Sequence, residues 1–387
     1  MAINKEQNIL NVPHLRFPEF EGEWEKHRLS EYLDFKNGLN PDSKRFGKGI
    51  KFISVMDILN NPVITYDCIR ASVQATDAEI SSFSVENGDI LFQRSSETLE
   101  DVGRANVYID DKVAVFGGFV IRGKKKANYD PLFFRYLLSS PYARKRIIPM
   151  GAGAQHFNIG QEGLSKVSLN FPSIEEQTKI ASLLHLLDER IATQSKLIED
   201  LKKLKSAISE NLFKAVKGDV VILSEICEII KGKQVNGEFL SEKGKYYVMN
   251  GGTEPSGYYS DYNVKANTIS ISEGGNSCGY VQFNTSPFWS GGHCYTIQKI
   301  ADNVDNLYLY HYLKSKENAI MKLRIGSGLP NIQKKDLAMF KIKIPTVEQQ
   351  KSISTFLSSL ERKAEIEKHI QNAIQNEKSY LLQHMFM

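Results

Sequence analysis

Phe171-Pro172-Ser173-Ile174-Glu175-Glu176-Gln177 opens a long amphipathic stretch that ends at Phe213, and Ile344-Pro345-Thr346-Val347-Glu348-Gln349-Gln350 opens a second that ends at Phe386. The offset between them is 173 residues, with no gap: Pro172 falls on Pro345, Gln177 on Gln350, Ile180 on Ile353, Leu184 on Leu357, Lys205 on Lys378 and Phe213 on Phe386. Beyond Pro172 and Pro345, neither stretch contains Pro or Gly. Ser173 with Glu176, and Thr346 with Gln349, have capping-box spacing directly after a proline that closes a strand. Each stretch is therefore expected to be one helix of about 38 residues, a rod of roughly 55 Å.

Within the first stretch Leu184, Leu187, Ile191, Gln194, Ile198, Leu201, Lys205, Ile208 and Leu212 step by three and four, the spacing of a coiled-coil seam. The second seam runs Leu357, Leu360, Ala364, Glu367, Gln371, Ile374, Lys378, Leu381 and Met385; Ile353, Phe356, Ile366 and Ile370 are expected to widen its apolar face. Polar residues at matching seam positions, Lys205 with Lys378 and Gln194 with Glu367, suit devices that fix one pairing register. The expectation is two long antiparallel helices paired as a spacer. The bland alternative is that each packs on its own domain.

Working outward, the repeat continues. Asn158-Ile159 matches Asn331-Ile332, Leu164 matches Leu337, Asp130–Ser139 resembles Asp305–Ser315, and Phe116-Gly117-Gly118 resembles Ser290-Gly291-Gly292. Lys36-Asn37-Gly38 resembles Ile230-Lys231-Gly232, by which point the offset has grown to 194 and the first unit is the longer by 21 residues. Residues 75–115 and 264–290 hardly match, as expected of one scaffold carrying two different surfaces. Short strands are expected at Gly49–Val55, Asp89–Gln93, Arg104–Ile109 and Val113–Arg122 with a helix at Pro131–Ile148, then at Tyr246–Met249, Thr268–Ser272, Gly279–Phe283 and Cys294–Lys299 with a helix at Leu307–Leu323. The class is α+β, with two pseudo-symmetric strand-rich domains separated by the helices. The expected boundaries are 1–19, 20–171, 172–215, 216–344 and 345–387.

The composition, 41% hydrophobic with 10% aromatic residues, supports ordinary cores. No apolar run of membrane-spanning length and no leader at Met1–Leu10 is visible, so a cytoplasmic protein is expected. Cys68, Cys227, Cys278 and Cys294 lack CxxC spacing; a metal site from Cys278, His293 and Cys294 is the sharp alternative to buried thiols. The net charge is +4, with 49 basic and 45 acidic residues. The helical stretches are nearly neutral, which leaves the excess positive charge on the globular units, where an acidic partner should sit.

Candidate contacts are therefore sought in the loops. Gln93-Arg94-Ser95-Ser96 leaves one strand and Ser272-Glu273-Gly274-Gly275-Asn276-Ser277 leaves its counterpart. Arg, Gln, Asn and Ser make the forked or paired hydrogen bonds that read base edges. Further candidates are Lys124, Lys125 and Lys126, Arg144 and Arg146, His156 and Asn158, Tyr258 and Tyr259, and Arg324 and Asn331. A solvated charge run is the default reading of the basic clusters, a tight turn would also explain the Gly-rich approaches to Asn158 and Asn331, and core packing would explain the tyrosines equally well. No phosphate loop, HExxH or strand-borne GxGxxG is present. Asp130-Pro131-Leu132-Phe133 only approximates the amino-methyltransferase tetrapeptide, so no chemistry is expected of the chain by itself.

The order of two variable strand-rich domains, each followed by a Pro-x-x-x-x-Gln helix, resembles the specificity subunit of type I restriction-modification enzymes. The likeness also draws on Gly88-Asp89-Ile90-Leu91-Phe92 and on Pro13-His14-Leu15-Arg16-Phe17-Pro18 to Trp24; Asn267-Thr268-Ile269 departs from the Gly-Asp-Ile form. The resemblance implies two target-recognition domains that each read half of an interrupted site in double-stranded DNA. It also implies helices that act as ruler and docking surface for two methyltransferase subunits, with restriction (endonuclease and translocase) subunits joining them. S-adenosylmethionine, ATP and Mg would serve the complex, with no cofactor or metal on this chain. A two-headed protein adaptor and a self-contained methyltransferase or nuclease are the competing readings.

Overall fold

A computed structural model describes residues 11–326, 328 and 330–387. The chain forms two compact units, one gathering the chain up to Gln194 with Ile370–Met387, the other Ser195–His369. The expected absence of a leader at Met1–Leu10 lies outside the described residues. Among those described, no helix is long and apolar enough to cross a membrane.

The duplicated stretches form a central helix, Ile174–Ala215, and a terminal helix, Val347–His384, of 42 and 38 residues. Every seam position is buried or partly buried, whereas most residues between them are exposed. In the first unit Leu184 is buried with Met385 and Phe386, and Leu187 and Leu381 pack against the same cluster; in the second, Leu357 is buried, with Ile208 and Leu212 against it. Lys378 pairs with Asp188 in the first unit and Lys205 with Glu361 in the second. That order of pairing makes the helices antiparallel, and the matched lysines answer each other across the repeat. Phe356, Ile366 and Ile370 do not widen the seam. They are 46%, 48% and 39% exposed, because the lysine-centred stripe already uses the buried face.

The duplicated opening motif has a structural cause. Gln177 is buried, with its amide nitrogen donating to Pro172 O at 3.0 Å and its oxygen accepting from Asp130 N at 3.1 Å. Gln350 repeats both bonds, to Pro345 O at 2.9 Å and from Asp305 N at 2.8 Å. Each glutamine thus joins the end of a strand and the start of its own helix to the cap of a third element. Asp130 and Asp305 in turn accept from Phe133 N and Tyr308 N. The hydroxyl half of each expected capping box forms, from Glu176 N to Ser173 Oγ and from Gln349 N to Thr346 Oγ1. Glu176 does not complete the box; it is buried and accepts from Arg16 and from Trp24 Nε1 instead.

Each unit centres on a four-stranded antiparallel sheet of one topology. Its order is Leu33–Asn37, Val120–Lys125, Ile90–Gln93 and Ala105–Val107 in the first unit, and Glu228–Lys231, Cys294–Gln298, Thr268–Ser272 and Val281–Asn284 in the second. A smaller sheet accompanies each, with parallel pairing at Phe52↔Val115 and at Val248↔Trp289. Gly38 and Gly232 are small for one reason: a Cβ on either would lie about 2 Å from the carbonyl oxygen of Gly117 or Gly291, where the chain crosses the sheet end. Gly117 and Gly118 stand in the turn that divides the expected strand Val113–Arg122 into Ala114–Phe116 and Val120–Lys125. The expected helix Pro131–Ile148 breaks after Ser139, since Pro141 lacks an N–H and Ser140 caps a new helix through Ala143 N. Leu307–Leu323 likewise separates into Asn306–Ser315 and Glu317–Met321.

Candidate nucleic-acid interface

In the first unit one end of the central sheet collects Asn37, the loop Gln93–Ser96, the turn Gly117–Phe119 and the hairpin Ala152–Asn158. The strands Ser95–Ser96 and Phe157–Asn158 pair, Ser95 Oγ donates to Asn158, and Ala152 and Asn158 exchange both backbone bonds at 2.9 Å. The second unit collects Lys231, Ser272–Ser277, Gly291–His293, Ile325 and Asn331 at the corresponding end. Ile325 and Asn331 exchange the same two bonds, and Gly274 bridges to Asn331. Three further backbone bonds superimpose the two ends residue by residue. Ile159 N donates to Arg94 O at 2.9 Å as Ile332 N does to Glu273 O at 2.8 Å; Arg94 N donates to Phe119 O as Glu273 N does to His293 O, both at 2.9 Å; Gly103 N donates to Gln93 O as Gly279 N does to Ser272 O.

Several candidates meet at these ends. Arg94 is half-buried, with Nη1 3.3 Å from Gly118 O, and His156 and Asn158 are exposed on the adjoining hairpin. Asn276 and Arg324 are exposed, and Ser277 is partly buried. Gln93 is turned inward, its amide donating to Ser95 O at 2.9 Å, and Ser272 is buried with Oγ on Gly251 O at 2.6 Å. Both brace the loops. Tyr258 and Tyr259 lie on the second unit's smaller sheet, where the Tyr259 ring meets Trp289 edge-on at 5.0 Å, two residues before Gly291.

Other candidates are elsewhere. The register Val120↔Gln93 and Gly123↔Ile90 carries Lys124–Lys126 past the opposite end of the sheet. There Lys124 pairs with Glu86, Lys126 with Asp34, and Lys125 Nζ donates to Tyr129 O. Arg144 spends its guanidinium on the carbonyls of Glu100, Val102 and Gly103, and burial lowers its pKa to about 10. Arg146 stacks on Tyr142, 3.8 Å from the ring centroid. The sharp metal candidate dissolves as well. Cys278 Sγ donates to Glu273 O, burial pushes the Cys294 thiol up to about 11, and no cluster of metal-ligating side chains occurs among the described residues.

Sequence reading passed over the positions that most distinguish the two ends. Phe119, 69% exposed, borders a groove of about 460 Å³ lined by Leu39, Phe46, Phe52 and Met56. At the matching end Glu273 is buried, accepting from Lys231 Nζ at 2.6 Å and Tyr295 OH at 2.9 Å, with His293 Nδ1 3.8 Å from its other oxygen. The available signal was the shared Gly-Gly pair, which points to the residue that follows it.

The scaffold is thus one fold written twice, with dissimilar loops at equivalent ends. Residues 21–203 and 216–376 match the type I restriction modification DNA specificity domain. The chain belongs to that family. A type I restriction enzyme MjaVIII specificity subunit of Methanocaldococcus jannaschii is 22% identical over 427 residues, covering 99% of this chain and 96% of the relative. A type I specificity subunit of Mycoplasma pneumoniae is 33% identical over 145 residues, 37% of this chain and 38% of the relative. Among solved structures, a type I restriction-modification S subunit from M. genitalium superposes with a TM-score of 0.65 at 19% identity, covering 97% of this chain and 99% of that one. A further type I system structure, described in terms of complex assembly and conformational transition, gives 0.58 at 16% identity over 93% and 96% of the two chains. These likenesses establish an α+β specificity-subunit fold with two repeats and long helices.

Proposed function

We propose that this specificity subunit reads a bipartite, interrupted site in double-stranded DNA, each sheet end contacting one half. The observation that carries the reading is the pair of ends built on identical backbone bonds but lined by different side chains. Identical frames suit one duplex geometry, and different linings suit two different sequences. Loop side chains supply the base contacts, and phosphate contacts supply register. The helices act as a ruler, since about 3.4 Å of rod corresponds to one base pair. Pseudo-symmetry suits two copies of a methyltransferase subunit, with restriction subunits joining that core. S-adenosylmethionine, ATP and Mg belong to those partners, and this chain contributes recognition alone.

Mapping methylated adenines across a genome that expresses the chain with its methyltransferase partner tests the proposal. The expected result is one motif of two defined halves around an unread gap. Inserting seven residues into both helices should lengthen the gap and leave the halves intact. A motif without a gap, or a gap indifferent to the insertion, overturns the reading.

A further inference from the structure

The two sheet ends differ by a concerted exchange at backbone-equivalent positions. Asn37, Arg94, Phe119 and Ile121 in the first unit become Lys231, Glu273, His293 and Tyr295 in the second. In the first, the guanidinium of Arg94 supplies the cation directly, with the Gly118 contact as its one side-chain bond among the described residues. In the second the same backbone position carries a buried carboxylate, and the cation has moved two strands over, across Cys294–Gln298, to Lys231, whose side chain is 52% exposed. Glu273 Oε1 holds that ammonium at 2.6 Å, Tyr295 OH donates to the same oxygen, and Oε2 has no hydrogen-bond partner among the described residues. Desolvating that carboxylate costs several kcal/mol before pairing offsets it, and Lys231 and Tyr295 supply the pairing. The pair places the Lys231 ammonium beside the Glu273 carboxylate at the sheet end.

Building on the DNA-reading proposal, we infer that Arg94 and the Lys231–Glu273 pair are equivalent specificity determinants, each selecting a guanine in its own half-site. Guanine presents two acceptors, N7 and O6, in the major groove, the edge that a donor-only cation matches. Arg94 meets both acceptors with its fork. Lys231 is the contacting donor of the second half, and Glu273 is a positioning residue that acts through it. The fork discriminates more strongly than the point charge, so the first half-site is the stricter of the two at this base.

Selection of bound DNA from a randomised library by the purified complex with its methyltransferase partner tests this. Arg94→Ala should reduce the preference for guanine at one position of the first half-site about tenfold to a hundredfold, leaving the second half unchanged. Lys231→Ala should relax one position of the second half by a smaller factor. Glu273→Gln should relax that same position, and the double variant should match Lys231→Ala alone, which a purely structural carboxylate would not produce. Lys231→Arg should retain guanine. Should Glu273→Gln fail to fold, the half-exposed Lys231 variants still decide the second half. Unchanged motifs, or changes spread over both halves, overturn the assignment. A wild-type complex with no two-part motif instead overturns the DNA-reading proposal itself.

Discussion

Gln177 and Gln350 show why a short motif recurs. A buried amide that bonds two different backbone segments leaves both unpaired when removed, and an orphaned buried polar group costs about 1–3 kcal/mol. Gln177→Ala should accordingly destabilise the first unit and Gln350→Ala the second, each by about 2 kcal/mol, readable by site-resolved hydrogen exchange. His311 supplies a pH-dependent counterpart. Burial lowers its pKa to about 4, and its Nε2 lies 2.9 Å from Ser358 Oγ. The folded state holds the imidazole neutral while the unfolded chain takes up a proton near its ordinary value of 6.5. Stability is therefore complete above about 6.5 and falls as pH drops toward about 4, by about 3 kcal/mol at most. His311→Gln should flatten that acid limb of a melting-temperature profile; an unchanged slope would remove His311 as its cause.

Among the elements, the long helices are joined by partly buried ion pairs at matched positions of the repeat. Lys205 faces Glu361 and Lys378 faces Asp188, whose carboxyl, despite burial, is held below the usual range by hydrogen bonds from Lys378 and Tyr136. Reversing one charge places two carboxylates together on a partly buried face. Lys205→Glu should destabilise the second unit, and Lys205→Glu with Glu361→Lys should recover about 0.5–2 kcal/mol of coupling in a double-mutant cycle. Additive losses would mean that the pair is incidental to register. The exposed Phe356, Ile366 and Ile370 lie off this stripe, so polar replacements there should leave both units' stability within about 0.5 kcal/mol.

For the whole molecule, the last turns of the terminal helix belong to the first unit. Leu15 N donates to His384 O at 2.9 Å, and Phe386 packs with Trp24 and Phe133 in the first unit, its centroid 5.6 Å from that of Phe133. Phe213, its repeat partner, sits 5.7 Å from Tyr308 in the second. The end of each long helix therefore completes the core of the unit in which the other helix begins. Phe386→Ala should cost the first unit about 3–5 kcal/mol and leave the Asn306–Ser315 helix protected; Phe213→Ala should do the reverse. Hydrogen exchange across both units distinguishes this from a uniform loss.

The central and terminal helices, their seams and the duplicated units were legible in residue order, because a three-and-four apolar spacing and a repeated cap are local features that lower the energy of one local conformation wherever the segment ends up. The loops Gln93–Ser96 and Ser272–Ser277 were also legible as equivalents, from their place after matched strands. What residue order could not settle was orientation. Ser272 and Arg144 look like surface polar groups until partners 21 residues and more than 40 residues away bury them, and Lys231 acquires its role only from Glu273, 42 residues on. The assignment of Phe386 to the first unit is of the same kind. Burial and polar pairing are energies of long-range contact, decided by which segments the sheets and helices bring together, so only the tertiary structure determined which charged side chains face outward and which brace the scaffold.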